Sequence, residues 1–291
     1  MESKSSANIA VRRALPEDSA RCGEICFRAF SAINAEHNFP CDFPSVEMAT
    51  DAITAIFSTP GLYCVVAETE GGVIGSNCLD ERGPIHGVGP ITIDPEIQNR
   101  GVGRILMRAL MDRSREDGAV GIRLVQAAFH NRSLSLYTLL GFDVREPLSC
   151  LQGRIRAQTI PGCIVRPATL DDLEACNAVA RRVHGFERSA DLSAAVTRGT
   201  ARVVERSGRI TGYTTHLGFY GHSTAETNVD LQALIAAAES LAGPGILVPS
   251  RNAALFRWCI ENGLRVVQPM TLMSTGLYNE PAGASLPSIL F

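Results

Sequence analysis

Apolar positions along the chain alternate between a period of about two residues and a period of about 3.6, predicting short strands interleaved with amphipathic helices. The first strand falls at Ile9-Ala10-Val11-Arg12-Arg13-Ala14. Pro16, Glu17 and Asp18 then open a helix running to about Phe30, with its acids in the first turn where the helix dipole favours them. A loop from Glu36 to Pro44 follows, and a second helix covers Ser45 to Phe57. Leu62 to Glu68 and Val73 to Leu79 predict a hairpin turning at Gly71-Gly72. Gly83-Pro84 and Gly87 to Pro90 read as connections into a short β-branched strand, Ile91-Thr92-Ile93. From Val102 onward, Ile105, Leu106, Ala109 and Leu110 recur at helical spacing. A strand at Gly121 to Phe129, a helix closed by Gly141 and a strand at Phe142 to Cys150 complete this half.

The pattern then starts again. Val165-Arg166-Pro167-Ala168, followed by Asp171-Asp172, parallels Val11-Arg12-Arg13-Ala14 followed by Glu17-Asp18. Near the other end, Arg251 to Leu264 echoes His130 to Phe142. The expectation is an internal repeat, with domains at 7–153 and 163–291.

The stretch Ile91 to Leu106 carries the chemistry. Gly101 and Gly103 remove side chains where a backbone must come close to something, and a helix starts there. A helix start offers unpaired N–H groups and a positive dipole end, suited to a phosphate, and Arg100 and Arg104 flank it. No lysine follows, so this is not a P-loop; Leu106 stands where a dinucleotide fingerprint needs its third glycine. What fits is Gln-x-x-Gly-x-Gly, on Gln98, Gly101 and Gly103. It resembles the pyrophosphate loop of the GNAT superfamily of N-acetyltransferases. A second stretch strengthens the resemblance: His130-Asn131-Arg132-Ser133 opens a helix ending in Tyr137-x-x-x-Gly141-Phe142. The family's Asn lies seven residues before its Tyr, where this chain has His130, with Asn131 one later.

The resemblance implies an α/β chain, in the α+β mixed-sheet sense: two tandem GNAT-like domains, each a mixed, mostly antiparallel sheet flanked by helices. It implies acetyl-CoA as co-substrate, held by Ile91, Thr92, Ile93, Gln98, Asn99, Arg100, Gly101, Val102, Gly103, Arg104, Asn131, Ser133 and Tyr137. The implied reaction is direct attack by the amine of a small-molecule acceptor on the thioester, in an acyl-CoA-dependent N-acetyltransferase of EC 2.3.1 type. Tyr137 is the candidate acid for the leaving thiolate, since a phenol stays protonated at neutral pH. The central strand has no carboxylate before Asp94, so Glu81 at the end of the hairpin is the candidate base, with Asp80 and His86 nearby. His37, Asp42 and Asp80 are the candidate acceptor contacts. The alternative function is a non-catalytic acyl-CoA sensor or interaction protein.

The second copy departs from the pattern. Glu226 to Ala233 has no Gly-x-Gly, its carboxylates are expected to repel a pyrophosphate, and Cys259 takes the tyrosine's place. A helix is nevertheless expected at Asn228 to Leu241, so the fold persists without the cofactor. This copy is expected to wall the acceptor side, with Ala284 to Phe291 docked there. Composition narrows the rest. A net charge of −3 leaves no footprint for nucleic acid or membrane. No apolar run reaches transmembrane length, and Met1 to Ser6 lacks a signal peptide's apolar core, so a cytoplasmic protein is expected. Nine cysteines, some in apolar runs, fit reduced small hydrophobes, and no metal site is expected. A homodimer is compatible with all of this.

Overall fold

The computed structural model describes residues 9–156 and 158–290. Ala7 and Asn8, at the start of the first expected domain, and Phe291, at the end of the second, lie outside these residues. The chain divides into two compact units, Met1–Glu81 with His86–Ile122, and Arg82–Ile85 with Arg123–Phe291.

The first unit holds β1 (Ala10–Arg13), a 3-10 turn at Pro16–Asp18, α1 (Ser19–Glu36), α2 (Val46–Ser58), β2 (Leu62–Thr69) and β3 (Gly72–Asp80). Most of β4 (Ile85–Val88), then β5 (Thr92–Ile93) and α3 (Val102–Glu116), complete it. β1, β2 and β3 pair antiparallel in sequence. β3 then takes two further partners: β4 at Leu79↔Val88 and Asp80↔Gly87, and β5 at Ser76↔Thr92 and Gly75↔Ile93. β4 and β5 are thus one strand bulged at Gly89–Ile91, where the register slips. Glycine and proline there read as a connection in the sequence, whereas Ile85–Val88 is a buried strand. α1 also runs past Phe30 to Glu36, ending only where Asn38 takes a positive φ of 59°. Cys22 and Cys26 of α1 pack with Ile53 and Val66, and burial pushes the Cys22 thiol up to about 11. Leu106, Met107 and Leu110 anchor α3 from the apolar stripe seen in the sequence. α1 and α2 approach closely at Gly23, where a Cβ would sit 2.5 Å from the Thr50 Cα.

The second unit begins inside β6 (Gly121–Ala127) and continues through α4 (Asn131–Leu139) and β7 (Asp143–Gly153). Then come β8 (Cys163–Pro167), a 3-10 turn at Leu170–Asp172, α5 (Leu173–His184), α6 (Ser189–Thr197), β9 (Arg202–Arg206), β10 (Arg209–Thr214) and β11 (Ser223–Ala225). The last elements are α7 (Asn228–Ala236), β12 (Ile246–Pro249), α8 (Ala253–Glu261), β13 (Leu264–Gly276) and β14 (Ala284–Leu286). One sheet runs β14-β11-β10-β9-β8, and the other set of neighbours is β6-β13-β7-β12. β13 pairs antiparallel with β7 along its length, from Leu264↔Gly153 to Ser274↔Asp143. The order is reciprocal: β13 separates β6 from β7, while β7 separates β13 from β12. In each repeat a helix joins the last two strands, α4 or α8, and a crossover of that kind leaves room for a strand between them.

The repeat is written into the contacts as well as the element order. Arg12 reaches Asp18 at 2.7 Å and Glu68 at 2.9 Å; Arg166 reaches Asp172 at 2.7 Å and Glu205 at 2.6 Å. α7 stops at Ala236, short of the expected Leu241, because Ala242 exchanges backbone hydrogen bonds with Leu217 and Phe219 instead of continuing the helix. The C-terminal segment is paired on its own sheet through Ser223↔Leu286 and Ala225↔Ala284, with Leu286 in the core.

Candidate functional site

The cradle sits on the first unit, and its shape follows from the strand that precedes it. Asp94, buried at the end of β5, accepts from Arg21 at 2.6 Å and lies 3.5 Å from Arg28. Its other oxygen accepts from the Glu96 N–H at 3.1 Å, so the turn leaving β5 is fixed by α1. Gln98 donates to the Ile93 carbonyl at 3.2 Å and folds the loop back on the strand. Thr92 is buried, 3.2 Å from the Ser76 hydroxyl, while Ile91 lies just outside β5.

Asn99 and Gly101 both take positive φ, 67° and 85°. At Gly101 this left-handed conformation costs little, since glycine has no Cβ. The first α3 bond is from the Ile105 N–H to the Gly101 carbonyl at 3.2 Å, so Val102, Gly103 and Arg104 have no intrahelical acceptor for theirs. Nothing stands within 4 Å of where a Gly101 Cβ would be. Val102 is buried and locks the helix start; Arg104 is exposed, and among the described residues neither Arg100 nor Arg104 is engaged in an ion pair. Unspent N–H groups, open space and uncommitted guanidinium charge together fit a pyrophosphate.

The second motif lies in the other unit. α4 is capped by His130, whose Nδ1 accepts from the Ser133 N–H at 3.1 Å. In the second repeat Asn252 caps α8 in the same way, accepting from the Leu255 N–H at 3.3 Å. His130 therefore caps α4 as Asn252 caps α8, and Asn131 is the first helical residue. Tyr137 is buried against Phe142, with ring centroids 6.2 Å apart. Burial pushes its phenol up to about 12, opposed weakly by a Ser133 hydrogen bond. The hydroxyl is thus a proton donor throughout the neutral range.

The other candidates have defined surroundings. Glu81 is held in a two-point ion pair by Arg113, Nε at 2.6 Å and Nη2 at 3.1 Å. Arg113 in turn stacks on Tyr63, whose other cationic neighbour is Arg13. Asp80 ends β3 opposite Gly87. His86 is a buried strand residue and not a loop group: its Nδ1 lies 3.0 Å from the Ser114 hydroxyl and its Nε2 3.3 Å from Asp117. His37 caps the C-terminus of α1, with Nδ1 3.0 Å from the Ile33 carbonyl, and Asp42 lies in the loop beyond it. In the second repeat Asp230 is fully buried and bound by Arg206 at 2.7 Å, Thr211 at 2.7 Å and Thr227 at 2.5 Å. Glu226 is paired with Arg209 and Arg182. These carboxylates are neutralised clasps, so the missing glycines, and not free negative charge, separate α7 from α3. Among the described residues no group of three His, Cys, Asp or Glu is placed to hold a metal ion.

A mixed, mostly antiparallel sheet with a glycine-led helix after a bulged strand defines the class: this is an acetyltransferase fold. A protein from Pyrococcus horikoshii assigned as an acetyltransferase superposes with a TM-score of 0.74 over 95% of this chain and 94% of its own, at 18% identity. A GCN5-related N-acetyltransferase from Sphaerobacter thermophilus gives 0.60 over 94% and 96%, at 14% identity. Residues 30–142 match the family described as "Acetyltransferase (GNAT) family". In sequence, 63 residues are 40% identical to a mycothiol acetyltransferase of Nocardia farcinica, spanning 22% of this chain and about a fifth of that protein, 21%. No described helix is long and apolar enough to cross a membrane.

Proposed function

We propose that the chain is an acyl-CoA-dependent N-acetyltransferase that takes acetyl-CoA as co-substrate and a small-molecule amine as acceptor. The proposed repeats are 7–153, carrying the transfer, and 163–291, a degenerate copy. The observation that carries the reading is the Gly101 turn, which leaves three N–H groups of α3 unspent beside Arg100 and Arg104. These residues would hold the pyrophosphate, and the thioester would supply the activated acetyl group. The chain must then do three things. It must take a proton from the acceptor's ammonium, stabilise an oxyanion with backbone N–H groups near Ile91 to Ile93, and protonate the departing thiolate. Tyr137 suits the last task because burial keeps it protonated. Glu81 is the proposed proton acceptor at the end of β3, directly or through water. One observation favours the second reading, acyl-CoA binding without transfer: Arg113 already occupies both Glu81 oxygens.

The test is calorimetry with CoA on Gly101→Asp and Gly101→Ala. Both introduce a Cβ at φ +85°, with a strain of about 1 kcal/mol; only Asp adds a negative charge at the cradle. Abolished binding in the Asp variant with measurable binding in the Ala variant supports the cradle. Unchanged affinity in a folded Asp variant refutes it. Thiol release with a panel of amines then separates transfer from mere binding.

A further inference from the structure

A cavity of about 290 Å³ opens within the second unit, at the low end of small-ligand pockets, roughly 300–1,000 Å³. Its walls come from β6, β7 and β13 on one side and from β11, β14 and the end of α5 on the other. Charges of both signs line this wall: Arg123 and Arg188, and Glu146 and Glu280 with Arg251 between them. At one pole Arg123 of β6 is buried, its guanidinium 5.3 Å from the Phe186 ring centroid and 5.0 Å from that of Tyr278. Burial lowers its pKa to about 10, so it stays charged at neutral pH. His184 lines the same pole; burial, Arg188 and Arg123 push its pKa down to about 3, so the ring is neutral. Its Nε2 lies 3.2 Å from the Thr224 hydroxyl, and its Nδ1 is buried with no hydrogen-bond partner among the described residues. When Nε2 accepts from Thr224, Nδ1 carries the proton and is a donor.

At the other pole stand two carboxylates. Glu146 of β7 is buried and gives one oxygen, Oε2, to Arg251 at 2.9 Å. Its Oε1 is buried with no hydrogen-bond partner among the described residues. Glu280 shares Arg251, at 3.0 Å, so this cluster carries a net negative charge. The two poles meet at Tyr278, whose hydroxyl is influenced by Glu280 and Glu146 and also by Arg123 and Arg251. Leu148, Phe186, Leu272 and Leu286 make the rest of the wall apolar. The buried His184 donor beside Arg123 and the buried Glu146 acceptor match a ligand that carries both a carboxylate and an ammonium.

We propose that this cavity is the acceptor pocket and that the acceptor is an apolar α-amino acid, its carboxylate on Arg123 and His184, its ammonium on Glu146. The inference rests on the acetyl-transfer reading. In the reaction the ammonium gives up a proton to water, and its freed nitrogen lone pair forms a bond to the thioester carbonyl carbon. The C–S bond breaks with its electrons on sulfur; the nitrogen loses its second proton to water, and sulfur takes one from Tyr137, which is reprotonated by water. The products are an N-acetyl amino acid and CoA thiol.

The experiment is calorimetry on the full chain without acetyl-CoA, using L-leucine, L-methionine and L-phenylalanine against leucinamide and 4-methylpentanoate. Acetyl-CoA is then added, and N-acetyl product and thiol are both measured. The expected result is binding of at least one amino acid at least tenfold tighter than leucinamide or 4-methylpentanoate, loss of the preference over leucinamide in Arg123→Met, and product matching the thiol released. Equal or absent binding of the amino acids overturns the proposal, and this comparison uses the unaltered protein, so it stands even where Arg123→Met misfolds. Amino-acid binding without N-acetylation, in protein that releases thiol with another amine, overturns the acceptor assignment and leaves acetyl transfer intact. Thiol release with no amine at all overturns the reading beneath it.

Discussion

A buried phenol is a proton reservoir only if something needs its proton, and Tyr137 tests that. Its pKa is raised to about 12 by burial, so the protonated form persists until the pH rises through that value. Alkaline losses of activity below pH 11 therefore belong to other groups. If Tyr137 protonates the thiolate, Tyr137→Phe lowers turnover by roughly 10²-fold with CoA affinity nearly unchanged. Steady-state kinetics against calorimetry separates the two, and a wild-type rate leaves only the packing against Phe142. At this scale the sequence was legible where the backbone dictates residue type. Gly101 needs its positive φ, and Gln98 folds back on a strand only five residues away. It was not legible where any acceptor would serve. A helix cap asks for a lone pair at one position, which the His130 Nδ1 supplies here where an Asn oxygen does so in α8. The Arg21–Asp94 pair spans 73 residues, and no local pattern points to it.

Each repeat opens with the same clasp, and its energetics can be read at the level of the element. Asp172 accepts from the Thr169 N–H at 2.8 Å and from Arg166 at 2.7 and 2.8 Å, joining β8 to the start of α5. Its pKa falls from 3.8 to about 2, chiefly through the Arg166 hydrogen bond. A depressed folded pKa means that the stabilisation is complete above about pH 4 and is lost as pH falls through about 2. Asp172→Asn is expected to cost about 1–2 kcal/mol at pH 7, discounted because Arg166 is partly exposed. Denaturant unfolding at pH 7 and pH 2 checks this: the gap to wild type narrows in acid, and a gap independent of pH assigns the loss to packing. Asp18, lowered by Arg12 in the same way, makes Asp18→Asn the matching control in the first repeat. The clasp was visible in the sequence only as acids opening a helix. Its Arg partner was visible as a repeated Val-Arg, but pairing the two required the fold. β4 escaped for the opposite reason, because glycine and proline on both sides of Ile85–Val88 looked like loop while the strand between them was buried.

For the molecule as a whole, two fold repeats were readable from their echoing words, but the exchange of strands between them was not. Apolar alternation says that β7 and β13 are strands and says nothing about which neighbours they take. β7 is flanked on both edges by strands from the second repeat: β13 from Leu264 to Ser274 and β12 from Ile246 to Pro249. Leu148, Cys150 and Leu151 of β7 are buried in cores shared with Leu247, Met270, Ile246 and Leu255. Removing residues 163–291 would therefore strip β7 of both ladders and uncover these side chains, making it an unprotected strand of the kind that pairs with other chains. A chain ending before Cys163 is thus expected to self-associate or precipitate, and not to survive as a separate domain. Co-expression with 163–291 is expected to restore a soluble one-to-one complex, because that fragment brings back β12 and β13. Sedimentation of the fragment alone and of the pair decides it. A monomeric, cooperatively unfolding 1–162 fragment would show that β7 does not depend on the second repeat, and the strand exchange would then be an ornament on two independent domains and not what holds them.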